Sequence, residues 1–311
     1  MSAALSGCTA FAPGSVGNVG PGLDILGLAV GGAGDHVTVE RLEGSAIVVS
    51  DAGHHDLPNH PRRNTAALAA REVMCRAGVP DGGLRIRVHK GLPLAGGQGG
   101  SAASAVAGAV AANHLLGNPL DRIALFAVSL EAEAAVTGRH PDNVAPSLLG
   151  GIVLVRAIDP PDLVQIPVPP DLRVVLAHPD QRLRTKDARA VLPREVPLAT
   201  ALYQAAQVAA MVAGLAAGDY ALLGRALDDR IAEPARSPLL PGFAAAKQAA
   251  LGAGALGASI SGSGPTAFAL ARGDSDAQAV AAAMQAAYAD AGIVARIRVD
   301  QVDLVGARVV S

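Results

Sequence analysis

The chain of 311 residues has no tryptophan, and aromatic residues make up only 2% of it. So few rings provide no stacking platform for single-stranded nucleic acid, and the core must be built from Ala, Leu, Val and Ile. The formal net charge is −2, which offers no basic footprint for a polyanion, so no nucleic-acid partner is expected. A small anion is not excluded, because backbone N–H groups bind one without net positive charge. There are two cysteines, Cys8 and Cys75. Their spacing suits neither a metal nor a redox pair, and they read as small buried residues of a reducing, cytoplasmic setting. No basic segment followed by an apolar run opens the chain, so no secretory signal is expected. Formal charge is also missing from Gly91 to Leu120. A membrane helix needs about 20 strongly apolar residues in succession. This stretch begins with Gly, Pro and Gln and continues as Ala broken by Ser, Asn and His, so a buried helix is expected and no membrane span.

Hydrophobic residues amount to 50% and charged ones to 17%, enough for a substantial core in one large or two ordinary domains. Alternation of apolar and polar residues predicts strands in "HVTVE" (from His36), "AIVVS" (from Ala46) and "LRIRVHK" (from Leu84). Between them "NTAALAAREVMCRAG" predicts a helix with Asn64 as N-cap and Gly78 as its stop. Further helices are predicted over 101–116 and 121–137, and a buried strand in "GGIVLV" from Gly150. Five prolines between Pro160 and Pro170 mark the expected domain junction. Beyond them come a strand in "RVVLAHP", Ala-rich helices over 200–217 and 220–231, a helix in "GFAAAKQAALGAG", and strands in "TAFALA" and "VARIRVD" around a helix over 275–291. Both halves mix strands and helices, which predicts an α+β protein with domains 1–160 and 161–311.

The stretch "PLAGGQGGSAAS", Pro93 to Ser104, follows a predicted strand and opens a predicted helix. Its glycines allow positive φ and close backbone approach, successive N–H groups form an anion nest, and the helix N-terminus adds about half a positive charge. It fits neither a Walker loop, having no Lys after the glycines, nor a Rossmann turn. Alone it reads equally as a phosphate cradle or as a turn before a buried helix. Two further glycine-rich stretches accompany it, "APGSVGNVGPGLDILGLAV" from Ala12 and "SISGSGPTAFAL" from Ser259.

In this order the three stretches resemble the motifs of the GHMP kinases (galactokinase, homoserine kinase, mevalonate kinase and phosphomevalonate kinase), whose second motif is roughly P-x-x-x-G-L-G-S-S-A. "HPDNVAPSLLGG" from His140, "TKDARAVLP" from Thr185 and "IAEPARSPLLPGF" from Ile231 make the chain most similar to the homoserine kinase branch, over nearly its whole length. The second motif departs from the pattern at Gln98, where Leu is usual, and at Gly100, where the first of two serines is usual. The resemblance implies a two-domain fold, with a left-handed β-α-β unit in the first domain and a ferredoxin-like second domain, the last strand packing back on the first. It implies ATP and Mg²⁺ as ligands, phosphorylation of L-homoserine toward threonine, and a homodimer as an option. Two alternatives stay open: another small-molecule kinase of the superfamily, acting on mevalonate or shikimate, and a nucleotide-binding protein that has lost catalysis.

The resemblance also carries residue roles. Pro93, Leu94, Ala95, Gly96, Gly97, Gln98, Gly99, Gly100, Ser101, Ala102 and Ala103 would hold the triphosphate, with Gly262, Ser263 and Gly264 closing over it and Asn64 near adenine. Ser101 and Glu131 would hold Mg²⁺, with Glu133 the alternative to Glu131. Asn18, Asp24, His140, Asn143, Thr185, Arg189 and Arg236 would contact the substrate. Asp24 would meet its ammonium, and the two arginines its carboxylate, which the guanidinium fork suits. Asp142, Asn143 and Ser101 are the catalytic candidates. Whether Asp142 accepts the hydroxyl proton or only organises the site is left open.

Overall fold

A computed structural model describes residues 6–311. Among the described residues, the strands and α-helices of the first half are β1 (Gly7–Val16), β2 (Leu26–Leu42), β3 (Ile47–Asp51), α1 (Thr65–Arg76), β4 (Gly83–His89), α2 (Gly100–Leu115), α3 (Arg122–Ala134), α4 (Pro141–Leu149), β5 (Ile152–Ile158) and β6 (Pro161–Ile166). The second half holds β7 (Leu172–Pro179), α5 (Thr185–Ala190), α6 (Leu198–Ala217), α7 (Tyr220–Ala226), α8 (Ala232–Arg236), α9 (Phe243–Gly252), β8 (Gly257–Ile260), β9 (Ala267–Arg272), α10 (Gly273–Asp290), β10 (Ala295–Gln301) and β11 (Arg308–Val309).

The first sheet runs β11-β1-β2-β4-β3, and the β5–β6 hairpin joins it through β2. At seventeen residues β2 is long enough to pair β4 with one end and β5 with the other. β3 and β4, connected through α1, pair in parallel, and the other pairs in this sheet are antiparallel. The charge-free segment is explained by α2, in which twelve of sixteen residues are buried. It is apolar all round because it is enclosed all round. Alanine and glycine let it approach α1 closely: a Cβ on Gly108 would fall 2.6 Å from the carbonyl oxygen of Ala66.

The second sheet has the order β10-β7-β9-β8 with α9 and α10 in the crossovers, the β-α-β-β-α-β arrangement of a ferredoxin-like domain. The chain changes sheets over residues 167–171, later than the boundary at 160, because Pro161 to Ile166 pairs with β5. It returns at the end, where Val302 bridges to Val30 and β11 pairs with β1. One apolar cluster spans both sheets, joining Val16, Leu26, Leu28 and Ile152 to Val174, Leu176, Phe268 and Leu270.

Two local expectations change. The helix predicted to Ile231 stops at Ala226, since the Asp229 carboxylate accepts hydrogen bonds from the N–H groups of Ile231, Ala232 and Glu233 and starts α8. Cys8 is buried, but Cys75 is exposed. Among the described residues, the helix long and apolar enough to cross a membrane is α6 rather than α2. Met211, Gly214 and Leu215 bury one side of α6 against the domain, while Leu198 and Leu202 are exposed.

Candidate active site

A cavity of about 640 Å³ lies between the domains, lined from the first by the loop ahead of α2 and from the second by Thr185, Arg189, Arg236 and Ser263. The loop needs its glycines. Gly97 and Gly99 have φ of 73° and 66°, where side chains are strained. A Cβ on Gly99 would lie 2.1 Å from Ser15 Oγ, and one on Gly97 2.5 Å from the Ser261 carbonyl oxygen. Gly99 is the N-cap of α2 and supplies no side-chain cap. The first N–H groups of the helix are therefore open for a ligand, and the positive end of its dipole stands at the cavity wall.

Asn64, Pro93, Leu94, Ala95, Gly96, Gly97, Gly99, Gly100, Ser101, Gly262 and Ser263 all reach the cavity. Four of the residues expected to hold ATP do not. Ala102 and Ala103 are fully buried in the core, because the helical turn carries them away from the wall. Gly264 lies behind Gly97, and the Gln98 side chain turns to Thr266 of the second domain. Asn64 keeps its capping role, accepting from the Ala67 N–H.

The acidic residue beside Ser101 is Glu133. Ser101 Oγ donates to Glu133 Oε1 at 2.8 Å, and His140 Nδ1 lies 3.4 Å from the same oxygen. Glu133 is 1% exposed, and its Oε2 has no hydrogen-bond partner. A buried carboxylate oxygen without a partner is costly, and with the Ser101 hydroxyl it forms the oxygen pair a hard cation takes. Glu131, the first expectation, does not belong to the site. It is exposed and pairs with Arg76 at 3.0 Å, because two helical steps turn it nearly to the opposite face from Glu133. Burial pulls the His140 pKa down, but the Glu133 hydrogen bond and the Glu133 and Asp142 charges carry it above its ordinary value.

The other end of the cavity gathers the groups expected for the substrate. Asn18 has φ of 69°, its N–H donates to Asp142 Oδ2 at 2.8 Å, and its amide donates to the Gly262 carbonyl oxygen. Asn143 accepts from Ser15 Oγ and donates to Asp142 Oδ1. Asp142 is buried and its pKa is raised to about 6, by desolvation first and then by the Asp24 charge. Asp24 and Arg189 face each other through two hydrogen bonds, at 3.0 and 2.7 Å. Arg236 is 4% exposed and is aimed by the carbonyl oxygens of Ala188 and Gly262. Burial, and then the Arg189 charge, lower its pKa. Thr185 Oγ1 lies 3.4 Å from Ser263 Oγ.

Sequence reasoning missed Lys90. It is buried and lines the cavity. Its ammonium donates to the Gly100 carbonyl oxygen at 2.8 Å, to Ser104 Oγ and to the Asp35 carboxylate. A Cβ at Gly100 would come within 3.3 Å of that nitrogen, so the missing serine and the lysine share one space. The position of Lys90 just ahead of the glycine loop was the signal available.

Comparison with known proteins gives the family of the chain. The GHMP kinases N terminal domain matches residues 64–151, and the GHMP kinases C terminal domain matches residues 211–290. The chain is 42% identical to the homoserine kinase of Chlorobaculum tepidum, over 97% of this chain and 98% of that one. It is 43% identical to the homoserine kinase of Arabidopsis thaliana, over 97% of this chain and 84% of that one. The crystal structure of homoserine kinase from Cytophaga hutchinsonii superposes with a TM-score of 0.95 at 40% identity, covering 100% of this chain and 99% of that one. With both domain matches, full-length relatives and the two-domain fold in agreement, the chain belongs to the homoserine kinases of the GHMP kinase family.

Proposed function

We propose that this protein transfers the γ-phosphoryl group of ATP to the hydroxyl of L-homoserine, giving O-phospho-L-homoserine for threonine synthesis in the cytoplasm. The observation that carries the reading is that Asp24, Arg189 and Arg236 share one cavity with the glycine loop. A carboxylate beside two guanidinium groups complements an amino-acid zwitterion. An anionic acceptor without an ammonium, such as mevalonate or shikimate, would leave Asp24 unmatched.

Phosphoryl transfer depends on positioning and charge neutralisation. The open N–H groups of the loop and of α2 take the phosphates, and Asn64 stands by the base. Ser101 and Glu133 would hold Mg²⁺, which supplies positive charge against the phosphates when bound. Arg236, fixed by two carbonyls, takes the substrate carboxylate together with Arg189, and Asp24 takes the ammonium. Asn18, His140, Asn143 and Thr185 border the acceptor. Asp142 is assigned an organising role, since its two oxygens already accept from Asn18 and Asn143.

A coupled assay of ADP release with homoserine, mevalonate, shikimate or no acceptor tests the reading. Turnover with homoserine far above the rest is expected. Turnover favouring another acceptor would move the chain to a different kinase activity, and nucleotide binding without acceptor-dependent turnover would leave a binding protein.

A further inference from the structure

Gln98 stands where the kinase motif that the loop resembles has Leu, and its side chain does not face the cavity. It is 7% exposed, and its Nε2 donates to Thr266 Oγ1 at 3.2 Å. Thr266 lies just ahead of β9, in the second domain. The same hydroxyl donates to the Gly96 carbonyl oxygen at 2.5 Å and lies 3.0 Å from His178 Nδ1 at the end of β7. A threonine hydroxyl has one proton to give and two lone pairs to fill. The proton goes to Gly96, so Gln98 and His178 are the two donors, and the His178 ring proton is assigned to Nδ1. The hydroxyl is then fully satisfied in a buried place. Desolvation, followed by the Arg296 charge, lowers the His178 pKa, which keeps the ring neutral.

The neighbouring carbonyls are tied across the same boundary. Ser261 Oγ donates to the Gly97 oxygen at 2.6 Å, and the Thr266 N–H donates to the Gly96 oxygen. Ser15 N–H, from the first domain, holds the Gln98 carbonyl oxygen. The peptide planes that present N–H groups to the cavity are therefore set by acceptors and donors on both domains. In this chain Gln98 adds a side-chain bond to that set, where Leu could add none.

We propose that Gln98, through Thr266 and with His178, is a positioning residue that preorganises the phosphate loop by coupling it to the second domain. Preorganisation of this kind raises ligand affinity by reducing what must be ordered on binding. The proposal rests on the nucleotide role given to the loop in the preceding section, but not on the identity of the acceptor.

The test is ADP affinity by calorimetry alongside steady-state kinetics. Gln98→Leu is expected to weaken ADP binding and raise the KM for ATP by about five-fold, the range of one lost buried hydrogen bond. At saturating ATP, kcat should stay within about two-fold of the parent. A merely structural defect would lower the active fraction, and so kcat, without moving KM. Thr266→Val should reproduce the Gln98→Leu effect, whereas Thr266→Ser, which keeps the hydroxyl, should bind ADP as the parent does. The double variant Gln98→Leu/Thr266→Val should be no weaker than the worse single one, because both break one network. Unchanged ADP affinity in Gln98→Leu, or additive losses in the double variant, would overturn the proposal. A parent protein that binds no ADP would instead overturn the nucleotide reading of the loop. Gln98→Leu carries the test alone should Thr266→Val not fold, since it removes the amide without enlarging the side chain.

Discussion

Asp142 sits 2% exposed at the junction of α4 and the cavity, and its pKa, pushed by burial from an ordinary 3.8 up to about 6, has a consequence for stability. A carboxyl with a folded-state pKa above its unfolded value keeps its proton longer in the native state. Stability from that source is fully present below the unfolded pKa and is lost as pH rises through the folded one. Above pH 6 the ionised group thus costs the empty protein up to about 3 kcal/mol. Asp142→Asn is expected to melt at a higher temperature than the parent at pH 8 and to lose that advantage at pH 4. Thermal denaturation without ligands checks both values, and a variant less stable at pH 8 would remove burial as the cause. The same variant should keep kcat within about ten-fold if Asp142 organises Asn18 and Asn143; a loss of several orders of magnitude would make it the proton acceptor. Single residues of this kind were legible in "HPDN" and "GNVGPGLD" by resemblance, but their partners were not. Lys90 and Gln98 act through contacts made far away in the chain, which spacing does not reveal.

At the level of elements, periodicity was informative wherever one face of a helix is dry. Glu133 follows Phe126 and Ser129 by seven and four residues, which puts it on the buried face of α3. Glu131 falls opposite, so helix phase alone could have separated the two. What hid α4 was its prolines. Pro141 occupies the first turn, where it is well tolerated, but Pro146 lies inside the helix and reads as a stop. β6 was hidden in the same way by the proline-rich stretch that was expected to mark the domain junction. Placing Glu133 beside Ser101 predicts that Glu133→Gln will raise the Mg²⁺ concentration needed for half-maximal activity by about ten-fold or more. Glu131→Gln should leave it within about two-fold, since its partner Arg76 lies on the surface. Activity titrated with MgCl₂ in the two variants decides, and the reverse ranking would return the metal to Glu131.

The two sheets of the molecule share an apolar cluster, and the cavity that holds the candidate site lies between the two domains. The resemblance reached the number of domains and the order of the motifs. It did not reach how the domains join, because the joining contacts pair residues more than a hundred positions apart, as Asn18 with Gly262 and Asp24 with Arg189. The last of these pairs bridges the domains over the substrate end of the cavity, and both side chains are about 40% exposed. An ion pair that open to solvent is worth about 1 kcal/mol or less. It is therefore cheap to separate, and a zwitterion can exchange for it, its ammonium meeting Asp24 and its carboxylate Arg189 and Arg236. The pair should accordingly matter little to stability and much to substrate binding. Asp24→Asn is expected to raise the KM for homoserine at least about ten-fold, the scale of a charge-assisted hydrogen bond, while shifting Tm by no more than about 2 °C. Melting curves and initial rates at varied homoserine measure the two effects. A large fall in Tm with an unchanged KM would make the pair a clamp between the domains rather than a place kept for the substrate.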